Sequence, residues 1–217
     1  FLTYQPQPEV PEVSVLPAQR AGHISFGSFN NLSKLSGTTV NLWARLLKAV
    51  PGSRLILKAQ GLGDAATRKR IKGLFSVHGI AAERLELLGP TTPQSRFMAE
   101  YHRVDIGLDP YPYNGGTTTC DALWMGVPVI SLKGRHFYSR MGASLLHSVG
   151  LDELVASNEE QYLSIALQLA NDISRLALLR KTLRERVSRS SLGDAKGFTR
   201  ALESLYTQIT SAETTSR

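Results

Sequence analysis

The chain has 217 residues, 42% of them apolar, with a net charge of +7 and a pI near 9.7, which suits one large globular domain or two small ones. Nothing in it approaches the length of an apolar membrane span, and no leader peptide is expected. Cys120 is the lone cysteine, which excludes an intrachain disulfide and a thiolate metal cluster, and fits a reducing, cytoplasmic location.

The chain opens on Phe1 and has methionines only at 98, 125 and 141, so it reads as a piece of something longer or a processed product. Residues 1–22 hold four prolines, at 6, 8, 11 and 17, and read as an extended linker. From His23 onward strands alternate with helices. Strands are expected at 23–29, 54–59, 85–88, 104–109 and 127–132, with helices near 38–50, 64–79, 94–102, 117–125 and 137–148. The first of these helices carries Leu42, Trp43, Leu46, Leu47 and Val50 on one face and stops at Pro51-Gly52. The tail is helical: Ser157 to Glu160 has a capping-box pattern, and further helices follow over about 174–190 and 196–211.

This alternation predicts an α/β fold, a Rossmann-like doubly wound parallel sheet of five or six strands with extra C-terminal helices over 23–217. A basic balance admits nucleic acid, anionic lipid or phosphorylated ligands. The two basic clusters, Arg68-Lys69-Arg70 with Lys72 and Arg180-Lys181 with Arg184, Arg186 and Arg189, both fall in helical patterns and read as solvated faces. Nucleic acid is not the expected partner.

In an open parallel sheet, ligands bind beyond the carboxyl ends of the strands. That rule selects Asn30–Lys34, Gly89–Gln94, Asp109–Thr118 and Lys133–Arg140. In the third of these loops, Gly115-Gly116-Thr117-Thr118-Thr119 opens a helix. Unpaired N–H groups at a helix start hold phosphate oxygens, the glycines allow close approach and the threonines add neutral donors. A threonine that merely caps the helix is the alternative. Asp121, one turn in, either suits the helix dipole or accepts from ribose hydroxyls. Lys34 is a surface charge or, across a cleft from that helix, a counter-charge for a leaving diphosphate. Asp109 reads as holding the turn that follows it. Of the five histidines only His136 lies in a strand-end loop, and none has metal-ligand spacing; no Walker loop or dinucleotide fingerprint is present.

The stretches "FGSFNNLSKL" (26–35), "LDPYPYNGGTTTCDALWMGVPVISL" (108–132) and "SRMGASLL" (139–146) together resemble the catalytic region of protein O-GlcNAc transferases, most of all bacterial members and SPINDLY-type plant relatives. The resemblance runs from about Gly22 to Tyr206. It implies the C-terminal lobe of a GT-B glycosyltransferase that works without a metal or cofactor, transferring GlcNAc from UDP-GlcNAc to Ser or Thr of a protein acceptor. The N-terminal lobe and tetratricopeptide repeats of that family are not in this sequence. By position, the resemblance makes Lys34 the catalytic lysine at the diphosphate and Asn31 the counterpart of a glutamine. Thr117 and Thr118 become phosphate ligands and Asp121 the acid near the ribose. Gln94 and Phe97 stand where animal members have a lysine near the ribose and a histidine near the uracil, and Gly116 replaces a histidine beside Gly115. A GDP-fucose donor, or a nucleotide-binding module inactive without its other lobe, are the alternatives.

Overall fold

The structure, a computed structural model, describes residues 2–215 and the side chains of all of these except 94 and 211–215. Six strands form one parallel sheet: β1 Ser25–Ser28, β2 Arg54–Lys58, β3 Leu85–Leu88, β4 Ile106–Leu108, β5 Val129–Leu132 and β6 Val155–Ala156, in the order β3-β2-β1-β4-β5-β6. Strands covered on both faces must be apolar throughout. Phe26, which pairs with Leu55 on one side and Ile106 on the other, has no exposed surface, and neither do those partners.

Nine helices are described: α1 Ala18–Ala21, α2 Gly37–Ala49, α3 Ala65–Ser76, α4 Gln94–Ala99, α5 Thr117–Trp124, α6 Met141–Ser148, α7 Glu159–Asn171, α8 Ile173–Arg189 and α9 Ala195–Thr215. They flank the sheet, α2 against α3 and α7, and α5 against α6 and α8. Helix α2 follows the expected pattern. Ser36 caps it by accepting from Thr39 N, and Val40, Trp43, Leu46 and Leu47 are buried. Trp43 Nε1 then donates to the Tyr162 hydroxyl of α7 at 3.3 Å, inside the core.

Several local readings shift. The helix expected from 137 begins at Met141, after a single 3-10 turn over Phe137–Ser139. The cap of α7 is Asn158, which accepts from Gln161 N, while Gln161 Oε1 accepts from Ser157 N. The cap is therefore one residue later than the S-x-x-E pattern suggests, and the returning bond reaches past it to Ser157. β6 is two residues long, too short for any periodicity to show.

The proline-rich segment is extended, as expected, but it lies against the body of the fold. Tyr4, Leu16 and Ala18 are buried, Tyr4 N donates to Leu192 O at 2.8 Å, and residues 18–21 form a turn of helix. The second basic cluster is not a uniform solvated face. Arg180 is 2% exposed and donates to Val104 O, Tyr101 O, Ser14 O and Ser14 Oγ, and Arg184 Nη2 donates to Pro11 O at 2.6 Å. These two arginines of α8 bind the segment to the fold, whereas Lys181, Arg186 and Arg189 are exposed. In the first cluster Lys69, Arg70 and Lys72 are exposed as expected, whereas Arg68 is half-buried and donates to Leu62 O and Gly63 O.

Helix α9 leaves an apolar stripe of Phe198, Leu202, Leu205, Tyr206 and Ile209 open to solvent. Among the described residues no helix is long and apolar enough to cross a membrane.

Replacing Arg180 with methionine keeps the volume but strands the buried carbonyls of Tyr101 and Val104 and the half-buried one of Ser14 without their donor. The variant should lose about 2–4 kcal/mol of stability, read as a lower urea midpoint.

Candidate functional site

β1 and β4 are neighbours, yet the chain leaves β1 towards β2 and leaves β4 towards β5. A crevice forms beyond the strand ends where the order reverses, here between the loop after β1 and the loop 109–116. Asp109 sets the second loop. Its carboxylate accepts from Gly115 N at 2.5 Å and from Ser131 Oγ of β5 at 2.6 Å, and the residue is 2% exposed. Burial raises its pKa to about 7, against the two hydrogen bonds and the nearby Lys34 charge. The loop is held from the other side by α2, where Ser36 Oγ and Thr39 Oγ1 both donate to Tyr111 O at 2.6 Å.

The glycines serve this packing. A Cβ on Gly115 would collide with Thr119 Oγ1 and Thr118 Oγ1, and one on Gly142 with Ser131 Oγ and Asp109 Oδ2. Gly115 therefore makes room for the protein's own turn and not for a ligand, while Gly116 lies against Met141.

The start of α5 answers the capping alternative. Gly116 is the N-cap and no side chain caps the helix. Thr118 Oγ1 instead donates across the crevice to Asn30 Oδ1 at 2.9 Å. Among the described residues, the N–H groups of Thr117 and Thr118 have no acceptor. Lys34 sits opposite. Its Nζ donates to Asn114 O at 2.8 Å, lies 3.5 Å from the same Asn30 Oδ1, and is 4.5 Å from the centre of the Tyr113 ring. Burial lowers its pKa, partly offset by Asp109. A half-buried ammonium with no carboxylate in direct contact among the described residues thus faces a helix N-terminus, an arrangement that attracts an anion.

The other named positions are distributed around this centre. Asn31 Oδ1 accepts from Ser33 N and caps the 3-10 turn Leu32–Lys34, so the amide at the lysine is Asn30, one residue earlier. Asp121 Oδ1 accepts from the Tyr4 hydroxyl at 2.8 Å. Burial raises its pKa and the Tyr4 bond opposes that. Phe97 packs edge-on to Phe29 and Tyr101 at about 6 Å and joins Asn30, Asn31, Lys58 and Gly89–Thr92 in lining a cavity of about 510 Å³. Gln94 opens α4; its side chain lies outside the described residues. His136 caps the 3-10 turn Phe137–Ser139 and stacks 5.3 Å from Tyr138. No cluster of three His, Cys, Asp or Glu among the described residues is placed to hold a metal ion.

The model of glycosyl transferase family 41 matches residues 15–202. The chain belongs to this family. Among its relatives, the Petunia hybrida protein named "Probable UDP-N-acetylglucosamine--peptide N-acetylglucosaminyltransferase SPINDLY" is 43% identical over 95% of this chain and 22% of its own length. The UDP-N-acetylglucosamine–peptide N-acetylglucosaminyltransferase of Caenorhabditis elegans is 31% identical, over 93% of this chain and 18% of its own length. A mutant O-GlcNAc transferase of Thermobaculum terrenum superposes with a TM-score of 0.87 at 41% identity, covering 94% of this chain and 38% of that one. A sucrose-phosphate synthase of Thermosynechococcus elongatus, at 20% identity and a TM-score of 0.63, shares the fold alone. The family 41 chain thus spans about a fifth of the length of the plant relatives, and its sheet is one Rossmann-like lobe of GT-B type.

Sequence reasoning passed over Asn30, Asn114 and Lys58. Asn30 and Asn31 are indistinguishable in an N-N pair until the turn is built. Lys58, a charge at the end of an apolar strand, was a visible signal.

The raised pKa of Asp109 makes a pH prediction. Between the unfolded value near 4 and the folded value of about 7, the folded state holds the extra proton, so this group's contribution to stability falls as pH rises through that window and is level below it. Asp109→Asn should remove that dependence. Urea titrations of both proteins from pH 4 to 7 should show the wild type losing ground to the variant by up to roughly 4 kcal/mol.

Proposed function

We propose that this chain is the C-terminal, donor-binding lobe of an inverting, metal-independent protein O-GlcNAc transferase, with UDP-GlcNAc as donor and a protein Ser or Thr hydroxyl as acceptor. The observation that carries the reading is the junction at Asn30, where Lys34 of one loop and Thr118 at the start of α5 meet across the switch-point crevice. The names of the family relatives support the donor and the peptide acceptor.

In this reading the acceptor oxygen attacks the anomeric carbon, its proton passes to a base outside this lobe, and the bond to the diphosphate breaks with inversion. Negative charge grows on the leaving phosphate oxygens. The Thr117 and Thr118 N–H groups, the Thr118 hydroxyl and the Lys34 ammonium receive it, and none has to be reoriented by more than a hydrogen-bond exchange. A lowered Lys34 pKa favours this, since a poorly solvated ammonium gains most from an incoming anion. Asp121 keeps one oxygen on Tyr4 and offers the other to the ribose. Phe97 and Gln94 flank the base, and Asn31 borders both subsites.

The remainder of the enzyme is a second, N-terminal lobe with tetratricopeptide repeats, and the whole is cytoplasmic. The exposed stripe of α9 supports a further packed element, and the docked segment before residue 23 is the connection to it. The division into a connector over 1–22 and a lobe over 23–217 belongs to the same proposal.

Calorimetric titration tests this. UDP should bind in preference to GDP, and Lys34→Ala should weaken UDP by roughly 10- to 100-fold. Preference for GDP would move the donor to GDP-fucose, and equal affinities for the two proteins would remove Lys34 from the diphosphate.

A further inference from the structure

Lys58 is an unusual residue for the place it occupies. It ends β2 with 2% of its surface exposed. Its ammonium donates to Gly89 O at 2.8 Å and to Thr91 Oγ1 at 2.5 Å and lies 5.7 Å from the centre of the Phe97 ring. Both acceptors are neutral, and no carboxylate pairs with Lys58 among the described residues; Glu100 and Arg103 act on it only at longer range and with opposite sign. An ammonium has three protons to donate. Two are placed, the third has no acceptor among the described residues, and Lys58 forms part of the wall of the 510 Å³ cavity.

Holding the 89–92 loop requires a donor but not a charge. A neutral side chain would do it without the desolvation cost of a buried cation. The cost is offset if an electron-rich group enters the cavity. Phe97 supplies a flat apolar surface there. Asn30 connects the cavity to the Lys34 and Thr118 junction, so an occupant of the cavity lies beside whatever that junction binds.

We propose that Lys58 is a specificity-determining residue: it donates a hydrogen bond to the 4-carbonyl oxygen of a uracil resting against Phe97. This rests on the donor-site reading above and assigns its base selection to a residue outside the loop motifs. Uracil presents an acceptor oxygen at the 4-position, whereas cytosine presents an amino donor there. The two rings have the same size, so the pair isolates this one contact. A cation facing the amino group meets a like partial charge and leaves its proton unpaired.

The test is the ratio of UDP to CDP affinity, by calorimetry on the whole 217-residue chain, for the wild type, Lys58→Met and Lys58→Gln, with thermal melts of each. The wild type should prefer UDP by roughly 10- to 100-fold. Lys58→Met should bring the ratio to within about threefold by weakening UDP, and Lys58→Gln, neutral but still a donor, should fall between. A preference unchanged in both variants, or a variant that weakens UDP and CDP equally, overturns the proposal and leaves Lys58 a support for its loop. So does a wild type that binds UDP and CDP alike, a result independent of how the variants fold; if that binding depends on Lys34, the donor-site reading still stands. A wild type that binds neither nucleotide defeats that reading and this proposal together.

Discussion

A carboxylate buried at the end of a central strand has to be hydrogen-bonded, and the way Asp109 meets that demand fixes the geometry of the crevice. One oxygen takes the Gly115 N–H and so closes the turn from which α5 departs; the other takes Ser131 and ties that turn to the next strand. Because the group is enclosed, the loop can settle only where both bonds are made and where Gly115 and Gly142 leave space for them. The direction of α5 follows. Its first N–H groups face the loop after β1, and Lys34 finds Asn114 O within reach. The placing of the α5 start opposite Lys34 is thus a consequence of satisfying one internal acid.

The segment ahead of β1 adds a second constraint. Tyr4 hydrogen-bonds Asp121 on the fifth residue of α5, and the same segment is gripped by Arg180 and Arg184 of α8. The chain entering the lobe is therefore in direct contact with the helix whose start faces Lys34. Asp105 repeats the device at the base of the sheet, accepting from Ala18 N and Ser25 N at 2.8 Å each, so that the entry to β1 is set by β4. In a lobe that spans only part of its relatives' length, such contacts give the incoming segment a fixed path across the fold.

Much of the architecture was legible because it depends on period and on turn chemistry. Alternating apolar strands and amphipathic helices announced a parallel sheet, and the strand-end rule placed the loops of Lys34 and Thr117 among the four it selected. What stayed hidden depends on tertiary detail. β6 is held by the edge of β5 and has no pattern of its own. The proline-rich run looked detached because Tyr4 finds its partners, Asp121 and Leu192, more than a hundred residues away, and Leu16 is buried in the core. Arg180 looked like a surface charge because its partners, Ser14, Tyr101 and Val104, are all more than seventy residues away in sequence. The choice between Asn30 and Asn31 turns on which side chain the 3-10 turn consumes as a cap.

The most direct measurement is a crystal structure of the chain with UDP bound. The account requires diphosphate oxygens within about 2.7–3.2 Å of the Thr117 and Thr118 N–H groups and of Lys34 Nζ. A diphosphate found elsewhere, for instance over the cavity edged by Lys133, Arg140 and His147, with the start of α5 left empty, would contradict it.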